Sequence, residues 1–205
     1  MAGSTAASAT SMPSPTPEFA LAHTRAWVDR AVIGQNLCPF AKAVQAKGQV
    51  RYVFCDATDE QGLMDVLCGE LHYLAEADPE KTDTTLIVHP FVLGDFEDFN
   101  DFLDAADAAV EQLGYIGVVQ VAPFHPQFRF ADTDPDDTGN ATNRSPYPTL
   151  HLLREDSVDR AVAAFPDAEA IFDTNIATMQ ALGRDGIARL QAQALEDAST
   201  PPGEV

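Results

Sequence analysis

Apolar residues recur along the chain at two different spacings, and the changes between them outline the fold. Leu63, Val66, Leu67, Leu71 and Leu74 lie three and four apart, as on one face of a helix. Phe96, Phe99, Leu103, Ala106, Val110 and Leu113 repeat that spacing and stop at Gly114, a residue suited to a helix end. Pro17 suits the first turn of a helix over 17–34, with Ala26, Trp27, Ala31 and Gly34 on one face. Pro39 opens another helix that closes at Gly48. Between these segments stand short runs rich in β-branched and aromatic residues: VRYVFC (50–55), TTLIVHP (84–90), IGVVQVAPF (116–124) and TLHLLRE (149–155). The second has almost no polar alternation, as expected of a strand covered on both faces. A helix from Ser157 carries Val158, Ala161, Val162 and Phe165 on one side, and 167–195 reads as helical in two pieces.

This order, α-β-α-β-α-β-loop-β-α-α, predicts one α/β domain over 17–196. Helical crossovers make the first three strands parallel, while the last two, joined by a loop, pair antiparallel. The expectation is a single small sheet of about four strands, mostly parallel with one antiparallel strand, in a thioredoxin-like or ferredoxin-like order with helices packed around it. Residues 1–16 and 197–205, rich in Ala, Ser, Thr and Pro, read as disordered tails. The N-terminal stretch has neither a basic start nor an apolar core, and no apolar run approaches the roughly 18 residues of a membrane span. A cytoplasmic location is predicted.

Charge narrows the partners. The net charge is −20, from 32 acidic and 12 basic residues. Phosphate backbones and anionic membranes are gripped by Lys and Arg, so neither nucleic acid nor membrane is an expected partner, and a small-molecule ligand is. Three cysteines, Cys38, Cys55 and Cys68, form neither a disulfide framework nor a C-x-x-C pair.

Candidate chemistry collects at strand ends, where open parallel sheets tend to bind ligands. His89 and His125 follow the second and third strands, each beside a proline, and His151 lies near the start of the fourth. With the fourth strand antiparallel, all three are expected on one rim, as acid–base groups or as ligands of zinc or iron. Cys38 precedes a helix N-terminus, which favours its thiolate, so it is a candidate nucleophile or redox thiol; close packing against Phe40 is the alternative. The loop between the third and fourth strands reads as a lid. There Asn143, Arg144 and Ser145, with Arg129 and Tyr147, are candidates to hold a carboxylate or phosphate; alternatively Arg144 pins the loop to a nearby aspartate. Asp132, Asp134 and Asp136 suggest a calcium loop but fail its pattern, because Asp137 takes the glycine position and Asn143 that of the bidentate glutamate.

Four blocks, NLCPFAK, IVHPFVLGDFEDFNDFL, GVVQVAPFHPQFRFAD and NRSPYPTLHLLRE, together resemble a bacterial family catalogued as domain of unknown function 1415, from about Ala20 to Leu190. The resemblance implies a single cytosolic bacterial domain and assigns no catalytic residue. Three functions therefore stand as expectations: an enzyme acting on a small anionic molecule at the histidine rim, a thiol enzyme using Cys38, and a non-catalytic binding module.

Overall fold

The computed structural model describes residues 15–164 and 170–200. Residues 1–14 and 201–205, most of the expected tails, lie outside the described residues, as does Phe165. Helix α1, Pro17–Trp27, is capped by the Thr16 hydroxyl, which accepts from the Phe19 amide at 3.3 Å. The first helix thus starts against a residue expected in the tail. At its end the helix widens into a π-helical turn, Val28–Ile33, in which Gly34 N–H donates to Asp29 O at 3.0 Å and Leu37 N–H to Val32 O at 2.8 Å. A Cβ at Gly34 would sit 2.3 Å from Arg30 O, so the wide turn can only close on glycine. Helix α2 is short, Ala41–Ala46, and starts later than Pro39.

Four strands follow the predicted order: β1 Val50–Phe54, β2 Thr84–Val88, β3 Val119–Phe124 and β4 Thr149–Arg154. Helices α3, Glu60–Glu76, and α4, Phe96–Gln112, start at Asp59 and Asp95, whose carboxylates accept from amides of the first turn. α5 spans Glu155–Ala164, and α6 spans Ala170–Ser199 with a break at Gly183, where φ is +62°. α6 runs past the expected tail boundary at 197, and there Asp197 pairs with Arg30 at 2.7 Å.

The sheet order is β1-β2-β4-β3. β1 and β2 pair in parallel, whereas β4 lies between β2 and β3 and pairs antiparallel with both. Three strands do point the same way, yet only one of the three pairings is parallel, so the expected mostly parallel sheet is corrected. The reason is the return of β4 through the long loop into the centre of the sheet rather than to its edge. β3 also begins later than predicted. Gly117, at φ +78°, breaks the extended run, and Ile116 ahead of it is 68% exposed.

One face of the sheet, bearing Ile87, Leu150 and Leu152, packs on Leu63, Leu67 and Leu71 of α3 and on Phe99, Phe102 and Ala106 of α4 to form the main core. The opposite face presents Leu86 and Phe124 to Ala26 and Trp27 of α1, Val28 of the π-turn and Ala194 of α6. That face is less completely filled, and this decides where a ligand can go.

Candidate functional site

His89 and His125 meet on the α4 side of the sheet. Their rings lie 5.8 and 5.0 Å from the ring of Phe99. His125 uses both nitrogens: Nδ1 accepts from the Gln127 amide at 3.0 Å, so Nε2 carries the proton and donates to Leu93 O at 3.1 Å. His89 Nδ1 donates to Val92 O at 3.2 Å, which leaves Nε2 an unprotonated, sealed lone pair without a partner among the described residues. Together the two rings clamp the loop after β2, where Leu93 holds a left-handed φ of +56°. Burial holds His89 neutral, its pKa pushed down to about 4, and lowers that of His125.

His151 does not join them. It pairs with Leu86 and Ala122 across β4, and its parity puts it on the face opposite His89, Ile87 and Leu152. The expected three-histidine rim therefore does not form, and neither does the three-histidine metal set. Among the described residues no group of three or more His, Cys, Asp or Glu side chains is placed to hold a metal ion. Strand direction brings residues to one edge, but pleat parity sends them to different faces.

The proposed anion clamp is also engaged elsewhere. Asn143 Nδ2 donates to Pro123 O at 3.3 Å, and Ser145 Oγ donates to Tyr147 O at 2.6 Å. Arg144 donates through Nε to Phe128 O at 3.0 Å and through Nη2 to Pro135 O at 2.7 Å; burial lowers its pKa, and Asp136 opposes that shift. Arg129 pairs with Glu97 of α4, and Tyr147 packs edge-on against His23. Arg129 and Arg144 do line one cleft of about 380 Å³, shared with Asp95 and Glu97. The loop aspartates shape turns: Asp134 accepts from Asp136 N, and Asp137 caps a 3₁₀ turn, Thr138–Asn143. Within that turn the buried Asn140 carboxamide binds Phe130 N, Thr133 Oγ1 and Asp134 O at 2.9 to 3.0 Å. The loop is a hydrogen-bonded body, not an open flap. Arg144→Ala should cost about 2 kcal/mol, since two charge-assisted bonds to carbonyls are lost. It should also speed amide exchange over residues 126–137, and Arg144→Lys, lacking the fork, should restore little of either. Unchanged exchange in the alanine variant would remove this role.

On the His151 face a cavity of about 330 Å³ opens between the sheet, α1 with its π-turn, α2 and α5. Its walls are mainly apolar, with Trp27, Val28, Leu86 and Phe124 prominent, and its polar groups are few: Cys38, Asp83, Thr84, Gln120, His151 and Ser157. No Lys or Arg is among its described lining residues. The Thr84 hydroxyl donates to Leu152 O at 2.6 Å, a separation that needs a proton between the oxygens, so it must accept from His151 Nε2–H at 2.7 Å. That leaves Nδ1 as the lone pair. It has no partner among the described residues and is not among the sealed buried atoms, so it opens on the cavity. Desolvation pushes the His151 pKa down to about 4.

Cys38 reaches the same cavity from the other wall. Asn36, at φ +54°, turns the chain out of the π-turn, and Leu37 anchors it against Ala141 and Met179. Asn175 Nδ2 donates to Leu37 O at 2.7 Å, which fixes the residue just before the thiol. With only six residues in α2, helix-end activation of the thiol has little basis. Sequence reasoning missed Trp27, Thr84, Gln120 and Ser157 as lining residues. Thr84 left a signal, a hydroxyl in a strand covered on both faces, but its neighbour Thr85 leaves the same one and its buried hydroxyl has no partner among the described residues.

The chain matches, over residues 20–189, the model of a family described as a protein of unknown function (DUF1415). It belongs to that family. No protein of curated function and no solved structure matches it. In this DUF1415 member no described helix is long and apolar enough to cross a membrane.

Proposed function

We propose that the chain is an enzyme acting on a small, uncharged and largely apolar molecule, held in the cavity beside His151. The observation that carries this reading is the state of His151: one nitrogen is committed to Thr84, and the other is a free lone pair opening on an apolar cavity. With Asp83 on the wall and no Lys or Arg among its described lining residues, the cavity suits a neutral ligand better than the anion expected from the loop arginines. A 150 Å³ apolar cavity admits benzene, so this one suits roughly a dozen non-hydrogen atoms.

Trp27 is the single tryptophan and lines the cavity. Titration with n-alkanols of increasing length should therefore change its emission saturably, with affinity rising roughly fourfold per added methylene until the space is filled. Ala122→Phe, which fills the cavity from β3, should abolish the response. A response that is linear, or that survives Ala122→Phe, rejects the site.

A second reading keeps the anionic substrate and puts it in the cleft lined by Arg129 and Arg144; those two guanidiniums on one wall favour it. It requires Arg129 to leave Glu97. Thioredoxin-like dithiol chemistry has less support, because Ala41 stands where the second cysteine of C-x-x-C belongs.

A further inference from the structure

We propose that Cys38 is the nucleophile of this cavity, that His151 is its base, and that the substrate is an ester or thioester with an apolar acyl group. The proposal rests on the cavity reading above and adds a reaction to it. Two independent placements carry it. Cys38 is a free thiol on the cavity wall, with its backbone pinned by Leu37 and Asn175. His151 opens an unpartnered Nδ1 on the same cavity, and the Thr84 bond to Nε2 fixes which nitrogen bears the proton. A nucleophile, a base and a third group orienting the base are the parts of a covalent hydrolytic site. Cys55 and Cys68 belong to the core on the opposite face of the sheet and cannot substitute.

The chemistry balances with water as the only co-reactant. No hydrogen bond joins Cys38 Sγ to His151 Nδ1 among the described residues, so one cavity water carries the thiol proton to Nδ1 while Sγ attacks the acyl carbonyl, forming an S–C bond. The carbon–oxygen or carbon–sulfur bond to the leaving group then breaks, and His151 returns the proton to that group. Water, losing a proton to Nδ1, attacks the thioester; the carboxylic acid departs and Sγ recovers its proton. Gln120, exposed at the rim, makes no side-chain hydrogen bond to another described residue, so its carboxamide is free to donate to the developing oxyanion. The product ionises at neutral pH, and a cavity with Asp83 and no Lys or Arg among its described lining residues favours its release. Because desolvation keeps His151 neutral, the base form persists well below the pH at which an ordinary histidine is lost.

Thr84 is a positioning residue in this scheme. Thr84→Val removes the acceptor that holds the tautomer while keeping the shape, and Thr84→Ser keeps the hydroxyl.

The test uses the full chain and p-nitrophenyl butyrate. A burst of one p-nitrophenolate per chain is expected, together with a butyryl group on Cys38 by peptide mass mapping. Cys38→Ser and Cys38→Ala should lose the burst yet still bind n-alkanols by Trp27 emission. His151→Gln should slow acylation by roughly a hundredfold or more. Thr84→Val should lower the rate and shift its pH profile, and Thr84→Ser should restore both. Butyrylation at Cys68 or at no cysteine, or a burst that persists without Cys38, overturns the proposal. Alkanol binding without acylation overturns the nucleophile alone, and loss of both overturns the cavity reading with it.

Discussion

Between pH 7 and pH 4 the protein is expected to lose about 6 kcal/mol of stability through two histidines, His89 and His151. Both are held neutral in the fold, with pKa values pushed from 6.5 down to about 4, chiefly by desolvation. Above pH 6.5 neither the folded nor the unfolded chain protonates them, and they exert no pH dependence. As the pH falls below 6.5 the unfolded chain takes up protons that the folded chain refuses, so unfolding gains ground until about pH 4, where the folded form also titrates. At 1.36 kcal/mol per pKa unit, each residue accounts for about 3 kcal/mol by pH 4. The two lie on opposite faces of the sheet, so their effects should add. The acid-rich surface works the other way, because protonating carboxylates relieves the repulsion of a chain of net charge −20. Urea unfolding followed by Trp27 emission, for the parent and for His151→Gln, separates the two contributions. The variant should lose about half of the histidine-dependent decline between pH 7 and pH 4. Parallel curves for the two proteins would exclude His151 as a buried neutral base.

Phe99→Ala should cost about 3–5 kcal/mol at neutral pH, a large share of the 5–15 kcal/mol that holds a typical domain together. The ring is fully buried at the centre of the main core and contacts both His89 and His125. Its removal opens a cavity whose lining includes two imidazoles, one with a sealed, unpartnered nitrogen. Water entering that space would offer His89 Nε2 a partner and raise the pKa of both rings, which NMR titration of the histidines can follow. Phe99→Leu should lose less and leave the rings dry. A cost below about 1 kcal/mol for the alanine variant would contradict the packing of α4 against the sheet. Because His89 and His125 grip the loop after β2, the same variant should loosen residues 90–94 before the rest of the domain.

Local pattern carried most of the architecture. The three- and four-residue spacing through Leu63–Leu74 and Phe96–Leu113 is a property of the helix itself, and so is the capping by Asp59 and Asp95. The four apolar runs became the four strands, although β3 starts at Val119 because Gly117 turns the chain first. The antiparallel pairing of β3 with β4 was also legible, since no apolar helical pattern separates them in the sequence. The site was legible only in pieces. His151, Cys38 and Arg144 stood out as single residues, but their partners did not, among them the loop carbonyls that the Arg144 fork binds.

From the sequence alone came one α/β domain, its helices, its four strands, its acidity and the residues capable of chemistry. Which of those residues meet was decided by tertiary structure, when β4 entered between β2 and β3 in a register that sets His151 opposite Leu86. Spacing along a strand records only the alternation of side chains. Which face each side chain takes, and what stands across from it, depends on contacts between segments more than sixty residues apart, and those contacts left His151 alone above an apolar cavity with Cys38 on its wall.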